Sequence, residues 1–407
     1  MAQIIKPDFK KNTVEVADIL RAHIREYHEK YPLGSDQYKI AYDLLNCRTA
    51  HLGGHKEKCD HCNHERILYN SCRNRHCPKC QSLARERWLL NRKTELLPVM
   101  YFHTVFTLPH ELNAIILGNK KIMLDLLFKA VSETLLSFGQ SKMSATLGFS
   151  AILHTWDQLL KPHFHLHCLV PAGGLAQDTK SFVFCKNDYL FNEEAMAQVL
   201  RGKFMDGFSK AHEKHILNLI SINELLRKPE KFKELKNTLY AKKWVVYVKE
   251  PIKNPEYVLE YLGRYTYRVA ISNHRILSLN DDRVTFQYKN RTIHKTEQTT
   301  IDAIEFIRRF LLHVLPKGFA RIRHFGFLAQ RNKTKCLKLI RSFLEQPEPV
   351  PLTEKSVKEV ITRLTGVDIA LCPCCKAGKM YRLAEIPKGS GLSPAEIIRR
   401  QSFRDTA

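Results

Sequence analysis

The tightest constraint on this chain lies between residues 47 and 80, where Cys47, His51, His55, Cys59, Cys62, Cys72, His76, Cys77 and Cys80 crowd together. Cys59-Asp-His-Cys62 and Cys77-Pro-Lys-Cys80 are two Cys-x-x-Cys hooks with fourteen residues between them, which is zinc-ribbon spacing. Four thiolates at about 2.3 Å complete a tetrahedron around Zn²⁺ and leave no open position, so this site is expected to be structural. Cys47, His55, Cys72 and His76 remain and would suffice for a second zinc. Metal is favoured over disulfides because the first residues lack the apolar core of a signal peptide. No apolar run of about eighteen residues occurs either, so a cytoplasmic chain with reduced cysteines is expected.

A second feature is the alternation His163, Phe164, His165, Leu166, His167, Cys168 after Pro162. Period two argues for a strand, with the three histidines on one face and Phe164, Leu166 and Cys168 on the other. Imidazoles two residues apart on a strand lie about 6.5–7 Å apart at the backbone, close enough to share one metal ion. Leu147–Trp156 is a further strand candidate. Hairpin pairing of the two would lay His154 beside His165 and His167, a three-imidazole set that leaves positions open for substrate oxygens.

Across 407 residues, Lys and Arg outnumber Asp and Glu by 65 to 41, a formal charge of +24. A surplus of that size favours a polyanionic partner, nucleic acid first and membrane surface second. Hydrophobic residues make up 44% and charged residues 26%, enough apolar surface for a real core and inconsistent with disorder.

In chain order, residues 12–30 and about 36–46 read as helices, with Asn12 and Thr13 both suitable N-caps for the first. Arg73, Arg75 and Lys79 sit on the metal-pinned loop, suited to phosphate contact or to an ordinary solvated face. From residue 98 the pattern is α+β: strand 99–108, helices over 110–138 broken near Gly118, the two histidine-bearing strands, helices near 193–220 and 223–242, and strand 244–249. Pro255 opens a helix on which Tyr257, Tyr261 and Tyr265 recur at i, i+4 and i+8. Such a stripe is more often core packing than chemistry. Gly263 inside the same helix costs about 1 kcal/mol, which points to a close approach. Short strands over 275–297, helix 301–314, the basic stretch 321–333 and a helix to 345 follow, and Pro347, Pro349 and Pro351 mark a linker. In the tail, Cys372-Pro-Cys-Cys375 reads as half of a zinc site at best.

Four motifs, Ser71-Cys-Arg-Asn-Arg-His-Cys-Pro-Lys-Cys-Gln81, His154-Thr-Trp-Asp-Gln-Leu-Leu, His165-Leu-His-Cys-Leu-Val-Pro-Ala-Gly-Gly174 and Tyr261-Leu-Gly-Arg-Tyr-Thr-Tyr-Arg-Val-Ala-Ile-Ser272, stand in this order. Together they resemble the IS ninety-one family of two-tyrosine rolling-circle transposases, members of the HUH (His-hydrophobic-His) endonuclease superfamily. The resemblance spans roughly residues 15–345. It implies an α+β fold, an HUH-type antiparallel sheet flanked by helices in an RRM-like arrangement, preceded by a helical, zinc-binding N-terminal domain. It implies four segments: 1–97, the zinc-binding, DNA-recognition domain; 98–300, the nuclease; 301–346, a basic helical extension; and 347–407, linker and tail.

The HUH pair matches His165 and His167, and the paired nucleophiles match Tyr261 and Tyr265. His154 as third ligand to Mg²⁺ or Mn²⁺ is an extension of that match. Arg264 and Arg268 are placed to steady the phosphate. The implied activity is nicking and rejoining of single-stranded DNA and hairpin ends through 5′-phosphotyrosine links, by a protein at the bacterial nucleoid, with a homodimer allowed. A plasmid replication initiator or conjugative relaxase shares this chemistry, and a non-enzymatic zinc-finger DNA-binding protein is the alternative of another class. A DDE-type transposase is disfavoured, since no spaced acidic triad stands out.

Overall fold

A computed structural model of the chain describes residues 14–389, apart from 255–256, 259–260, 262, 264–267, 291, 350–358 and 363–365. It opens on α1 (Val16–Lys30) and α2 (Ser35–Leu45). In α1, Val16, Ile19, Leu20, Ile24 and Tyr27 are buried at helical spacing. Its N-cap is Glu15, whose N–H donates to Asp18 at 3.0 Å; Asn12 and Thr13 lie outside the described residues. A hairpin of β1 (Gly54–Cys59) and β2 (Glu65–Tyr69) follows, then a loop over 70–80 and α3 (Gln81–Lys93).

Next come β3 (Tyr101–Thr107), α4 (Asn113–Gly118), α5 (Lys120–Met143), β4 (Ala145–Trp156), β5 (Pro162–Pro171), β6 (Gly173–Ala176) and β7 (Phe182–Phe184). The helix expected over 110–138 does break after Gly118, at Asn119, whose side chain donates to Ile115 O and Asn218 O and so interrupts the helix with its own bonds. Then come α6 (Glu193–Glu213), α7 (Pro229–Ala241), β8 (Val245–Val248), β9 (Ile276–Asn280), β10 (Arg283–Lys289) and β11 (Thr296–Asp302). The chain continues through α8 (Ala303–Leu312), β12 (Ile322–Gly326), α9 (Lys333–Phe343) and β13 (Met380–Ile386).

The central sheet runs β7-β6-β4-β5-β3-β8, antiparallel at every pairing, and β12 joins the β4 edge beyond β6. This is the expected antiparallel sheet flanked by helices. One face is apolar: Phe102, Phe106, Phe149, Leu153, Phe164, Leu166 and Cys168 pack on Leu127, Phe128 and Leu135 of α5 and Phe204 of α6. Burying each large apolar side chain there stabilises the fold by about 1.5–3 kcal/mol. The opposite face of the same strands carries histidines.

A second core joins elements far apart in sequence. Residues of α1 and α2 pack with Ile276, Val284 and Phe286 of β9 and β10 and with Phe306, Ile307 and Phe310 of α8. This core crosses the sequence divisions at 97/98 and 300/301. Four hydrogen bonds from two cations close its rim: Arg75 donates to Phe319 O, Leu315 O and Pro316 O, and Lys120 donates to Val314 O at 2.8 Å.

The turn between β4 and β5 is held from this second core. Leu160 takes a left-handed φ of 63° while fully buried, a conformation that a branched side chain adopts only when its surroundings impose it. His313 supports it: its Nε2–H donates to Leu160 O at 2.9 Å, and its Nδ1 accepts from Thr155 Oγ1 at 3.1 Å. Burial pushes His313 down to about 4, so the folded chain keeps it neutral where an unfolded chain would protonate it. The unfolded state therefore binds the extra proton between about pH 6.5 and 4. Stability from this group is complete above pH 6.5 and is lost as pH falls toward 4. Thermal or urea unfolding measured across that range should fall more steeply for the wild type than for His313→Gln, by up to about 1.4 kcal/mol per pH unit. Equal slopes would remove His313 as the titrating group.

Candidate functional site

The histidine face is built by register. On β4 and β5, His154 stands opposite His165 and Ile152 opposite His167. On β3 and β5, Thr107 stands opposite His165, Val105 opposite His167 and His103 opposite Leu169. His103 is thus the diagonal neighbour of His167 on the same face. The rings of His154, His165 and His167 stand 4.5–5.4 Å apart by centroid. One ring nitrogen from each lies within 4.8 Å of the other two, so the three can turn toward one ion. His163, on the same face one step outward, stacks obliquely on His165 at 4.7 Å and sits at the site's edge.

His103 was not singled out by sequence, and the structure makes it the link between two groups that were. Its Nε2 lies 2.8 Å from His167 Nδ1, and its Nδ1 lies 2.5 Å from the hydroxyl of Tyr261. The only sequence trace was a lone histidine in a β-rich run, Tyr101-Phe-His-Thr-Val-Phe-Thr107, with nothing to choose it from a core histidine. His103 is buried and pushed down to about 3, first by desolvation and then by the Lys249 ammonium. His167 is held well below its usual value by burial first, then by the neighbouring His154 and His165. Neutral imidazoles are the form a metal ion needs, and neutral rings can pass hydrogen bonds in either direction.

Tyr257, Val258, Tyr261 and Gly263 are helical. Tyr257 is 63% exposed, whereas Tyr261 faces the sheet, with Lys249 Nζ 5.6 Å from its ring centroid. The close approach expected at Gly263 is made by α3: a Cβ there would lie 3.0 Å from Leu89 Cδ1. The helix that follows the zinc loop thereby braces the tyrosine helix. Tyr265 and Arg264 lie outside the described residues.

In front of the histidines is an open cleft of about 480 Å³, lined also by Trp156, Asp157, Arg268, Tyr288 and Lys289. Arg268 is exposed at its wall, and Trp156 stacks on His154 at 5.1 Å. A guanidinium, an ammonium and two aromatic faces beside a metal-competent triad suit a phosphodiester with unstacked bases. The loop cations differ. Arg73 is exposed, Lys79 pairs with Glu15, and Arg75 is committed to three carbonyls of residues 315–319. Arg75, expected as a phosphate contact, ties the zinc loop to the second core through three of its hydrogen bonds to backbone.

The cysteines group differently from their spacing. Cys47, Cys72, Cys77 and Cys80 form one cluster and Cys59, Cys62, Cys372 and Cys375 another, each with sulfurs within 4.8 Å. In the first, Cys47 lies 3.6 Å from Cys77 and from Cys80, and Cys72 3.7 Å from Cys80. A tetrahedral ion with bonds of about 2.3 Å needs sulfurs about 3.8 Å apart, so four thiolates fit Zn²⁺ without rearrangement. Pairing Cys59 and Cys62 with Cys77 and Cys80 does not occur, because the first hook rides the far tip of the β1–β2 hairpin while the second returns to its base. His55 and His76 also leave the proposed ligand set. His55 contacts Glu57 at 3.1 Å, and His76, half-buried, belongs to neither cluster and is pushed down to about 3, first by desolvation.

No helix among the described residues is long and apolar enough to cross a membrane. Comparison with known families matches residues 19–108 to the family described as "Transposase zinc-binding domain" and residues 148–335 to the one described as "Putative transposase". The chain is 42% identical over 376 residues to the "Putative transposase y4qJ" of Sinorhizobium fredii, covering 91% of this chain and 94% of that protein. It is 26% identical over 344 residues to the transposase for insertion sequence element IS801 of Pseudomonas savastanoi pv. phaseolicola, covering 84% and 82% respectively. No solved structure matches the chain. A zinc-binding module of this type, ahead of a matching transposase region and with similarity to named transposases over most of its length, places the chain in the IS ninety-one family of transposases.

Proposed function

We propose that this transposase nicks and rejoins single-stranded DNA at the ends of its insertion sequence through 5′-phosphotyrosine intermediates, driving rolling-circle-type transposition. Tyr261 and Tyr265 are the nucleophiles, and His154, His165 and His167 hold a catalytic Mg²⁺ or Mn²⁺. The observation that carries the reading is the chain of contacts Tyr261–His103–His167, at 2.5 and 2.8 Å, which ties a phenol to the histidine triad. The divalent ion would supply positive charge to a non-bridging phosphate oxygen.

His103 adds a proton path of its own. In one tautomer the Tyr261 hydroxyl donates to His103 Nδ1, and His103 Nε2–H donates to His167 Nδ1. In the other, His167 Nδ1–H donates to His103 Nε2, and His103 Nδ1–H donates to the Tyr261 oxygen. Passing from the first to the second hands the Tyr261 proton to His103 Nδ1 and the His103 Nε2 proton to His167 Nδ1, and releases the His167 Nε2 proton to solvent, which leaves the Nε2 lone pair available as a ligand and Tyr261 as a phenolate held by His103 Nδ1–H. A phenol with its ordinary pKa near 10 needs such help. The phenolate then attacks phosphorus in line, the bond to the 3′ oxygen breaks, and that oxygen takes a proton from solvent. One phosphodiester has been exchanged for another, so rejoining needs no ATP. Arg268 and Lys289 on the cleft wall attract the backbone, and Trp156 and Tyr288 offer stacking faces for a single strand.

With a labelled single-stranded oligonucleotide carrying the element's end and Mg²⁺ or Mn²⁺, the purified protein is expected to form a covalent adduct that survives denaturing electrophoresis. Tyr261→Phe/Tyr265→Phe should form none, and an undiminished adduct would refute the nucleophiles. Cleavage that survives His165→Ala/His167→Ala would exclude the metal role of the triad. His103→Phe should slow adduct formation by about 10–100-fold, the usual loss when a ligand's supporting partner is removed. An unchanged rate would reduce His103 to packing.

A further inference from the structure

We propose that Cys59, Cys62, Cys372 and Cys375 hold a second structural zinc ion, a clasp that fixes β13 to the N-terminal hairpin and makes the C-terminal segment a working part of the zinc-binding module. The match to the zinc-binding family spans residues 19–108, so half of this ligand set lies far outside it. The geometry is that of a closed tetrahedral site. Cys59 lies 3.7 Å from Cys375 and Cys62 3.6 Å from Cys372, against about 3.8 Å for four thiolates around Zn²⁺. A disulfide would need about 2.05 Å.

The two hooks are shaped as ligand loops. Backbone N–H groups of His61 and Cys62 donate to Cys59 Sγ at 3.4 and 3.5 Å, and that of Gly378 donates to Cys375 Sγ at 3.3 Å. Asn74 N–H treats Cys72 of the first cluster in the same way, at 3.4 Å. Such bonds favour thiolate over thiol and orient the lone pairs, the support that metal ligands need from their surroundings. The hooks also interlock: a Cβ on Gly378 would sit 2.5 Å from Cys59 Sγ and 2.6 Å from Asp60 Oδ1. Asp60 N–H donates to Lys379 O at 3.1 Å, and Lys379 N–H donates to Asp60 Oδ1 at 2.8 Å.

Packing alone does not account for this attachment. β13 pairs with the whole of β1, from Gly54 opposite Ile386 to Cys59 opposite Met380, yet in the sheet β13-β1-β2 only Gly54 and Cys59 are buried. Tyr381 and Leu383 are 46% and 47% exposed, and Ile67 is 50% exposed. A small sheet without a hydrophobic core is marginal on its own, and a metal bond network is the usual substitute. Four thiolates in a tetrahedron select Zn²⁺ among the divalent ions of a cell, with iron the competitor.

Metal analysis of the full-length protein decides the matter. Wild type and Cys374→Ser should carry two zinc ions per chain, whereas Cys372→Ser/Cys375→Ser and Cys59→Ser/Cys62→Ser should each carry one. Hydrogen exchange at residues 380–386 should be slow in the first pair and fast in the second. One zinc per wild-type chain, two retained by the tail variant, iron in place of zinc, or exchange in β13 that ignores the substitutions would each overturn the clasp. Titration of the metal-free wild-type chain with Co²⁺ provides a test without substitutions. Thiolate charge-transfer absorbance should saturate at two equivalents, and saturation at one equivalent contradicts the proposal.

Discussion

Everything at the site depends on the strict alternation of β5. Because successive side chains point to opposite faces, Phe164, Leu166 and Cys168 are driven into the apolar core under α5 and α6 while His165 and His167 are lifted to the other side. A one-residue slip of register would exchange the two sets and bury histidines in hydrocarbon. The hydrophobic effect on one face thereby fixes the geometry of the histidines on the other. β4 and β3 then flank β5 on both sides, so His154 and His103 arrive from separate neighbours without any loop having to position them.

Around that rigid sheet the molecule places ties that span long stretches of sequence. His313 holds the turn between the two histidine-bearing strands from a core assembled by the chain's beginning and its later hairpins. Arg75 links the zinc loop to residues 315–319, and α3 presses on Gly263 of the tyrosine helix. The consequence for function is mechanical continuity: the module that follows the transposase zinc-binding pattern touches the helix bearing Tyr261.

Much of this was legible from residues alone because the signals were local. Alternation in 163–168 marked the strand and its two faces, and helical spacing marked α1 and α5. The single glycine at 263 announced a close neighbour. What was illegible depended on which distant segments meet. Cys-x-x-Cys spacing identified the ligand type but mispaired the hooks, since a fourteen-residue span can either close on itself or open into a hairpin with hooks at opposite ends. The tail Cys372 and Cys375 looked like half a site because their partners lie more than three hundred residues upstream. The contacts of Arg75 with carbonyls of residues 315–319 were illegible because a basic loop shows its charge in sequence and not the distant carbonyls it meets.

By itself, then, the sequence determined the chemistry available: soft thiolates for zinc, a histidine strand for a divalent ion, tyrosines on a helix and a strongly basic surface. Each follows from side-chain type and a period of two or about 3.6, which are properties of neighbouring residues. Only the tertiary structure decided who partners whom. It set His103 between Tyr261 and His167, divided eight cysteines into two tight groups, and carried β13 back to the first hairpin. These outcomes hang on sheet register and chain return across hundreds of residues, for which no local pattern carries a signal.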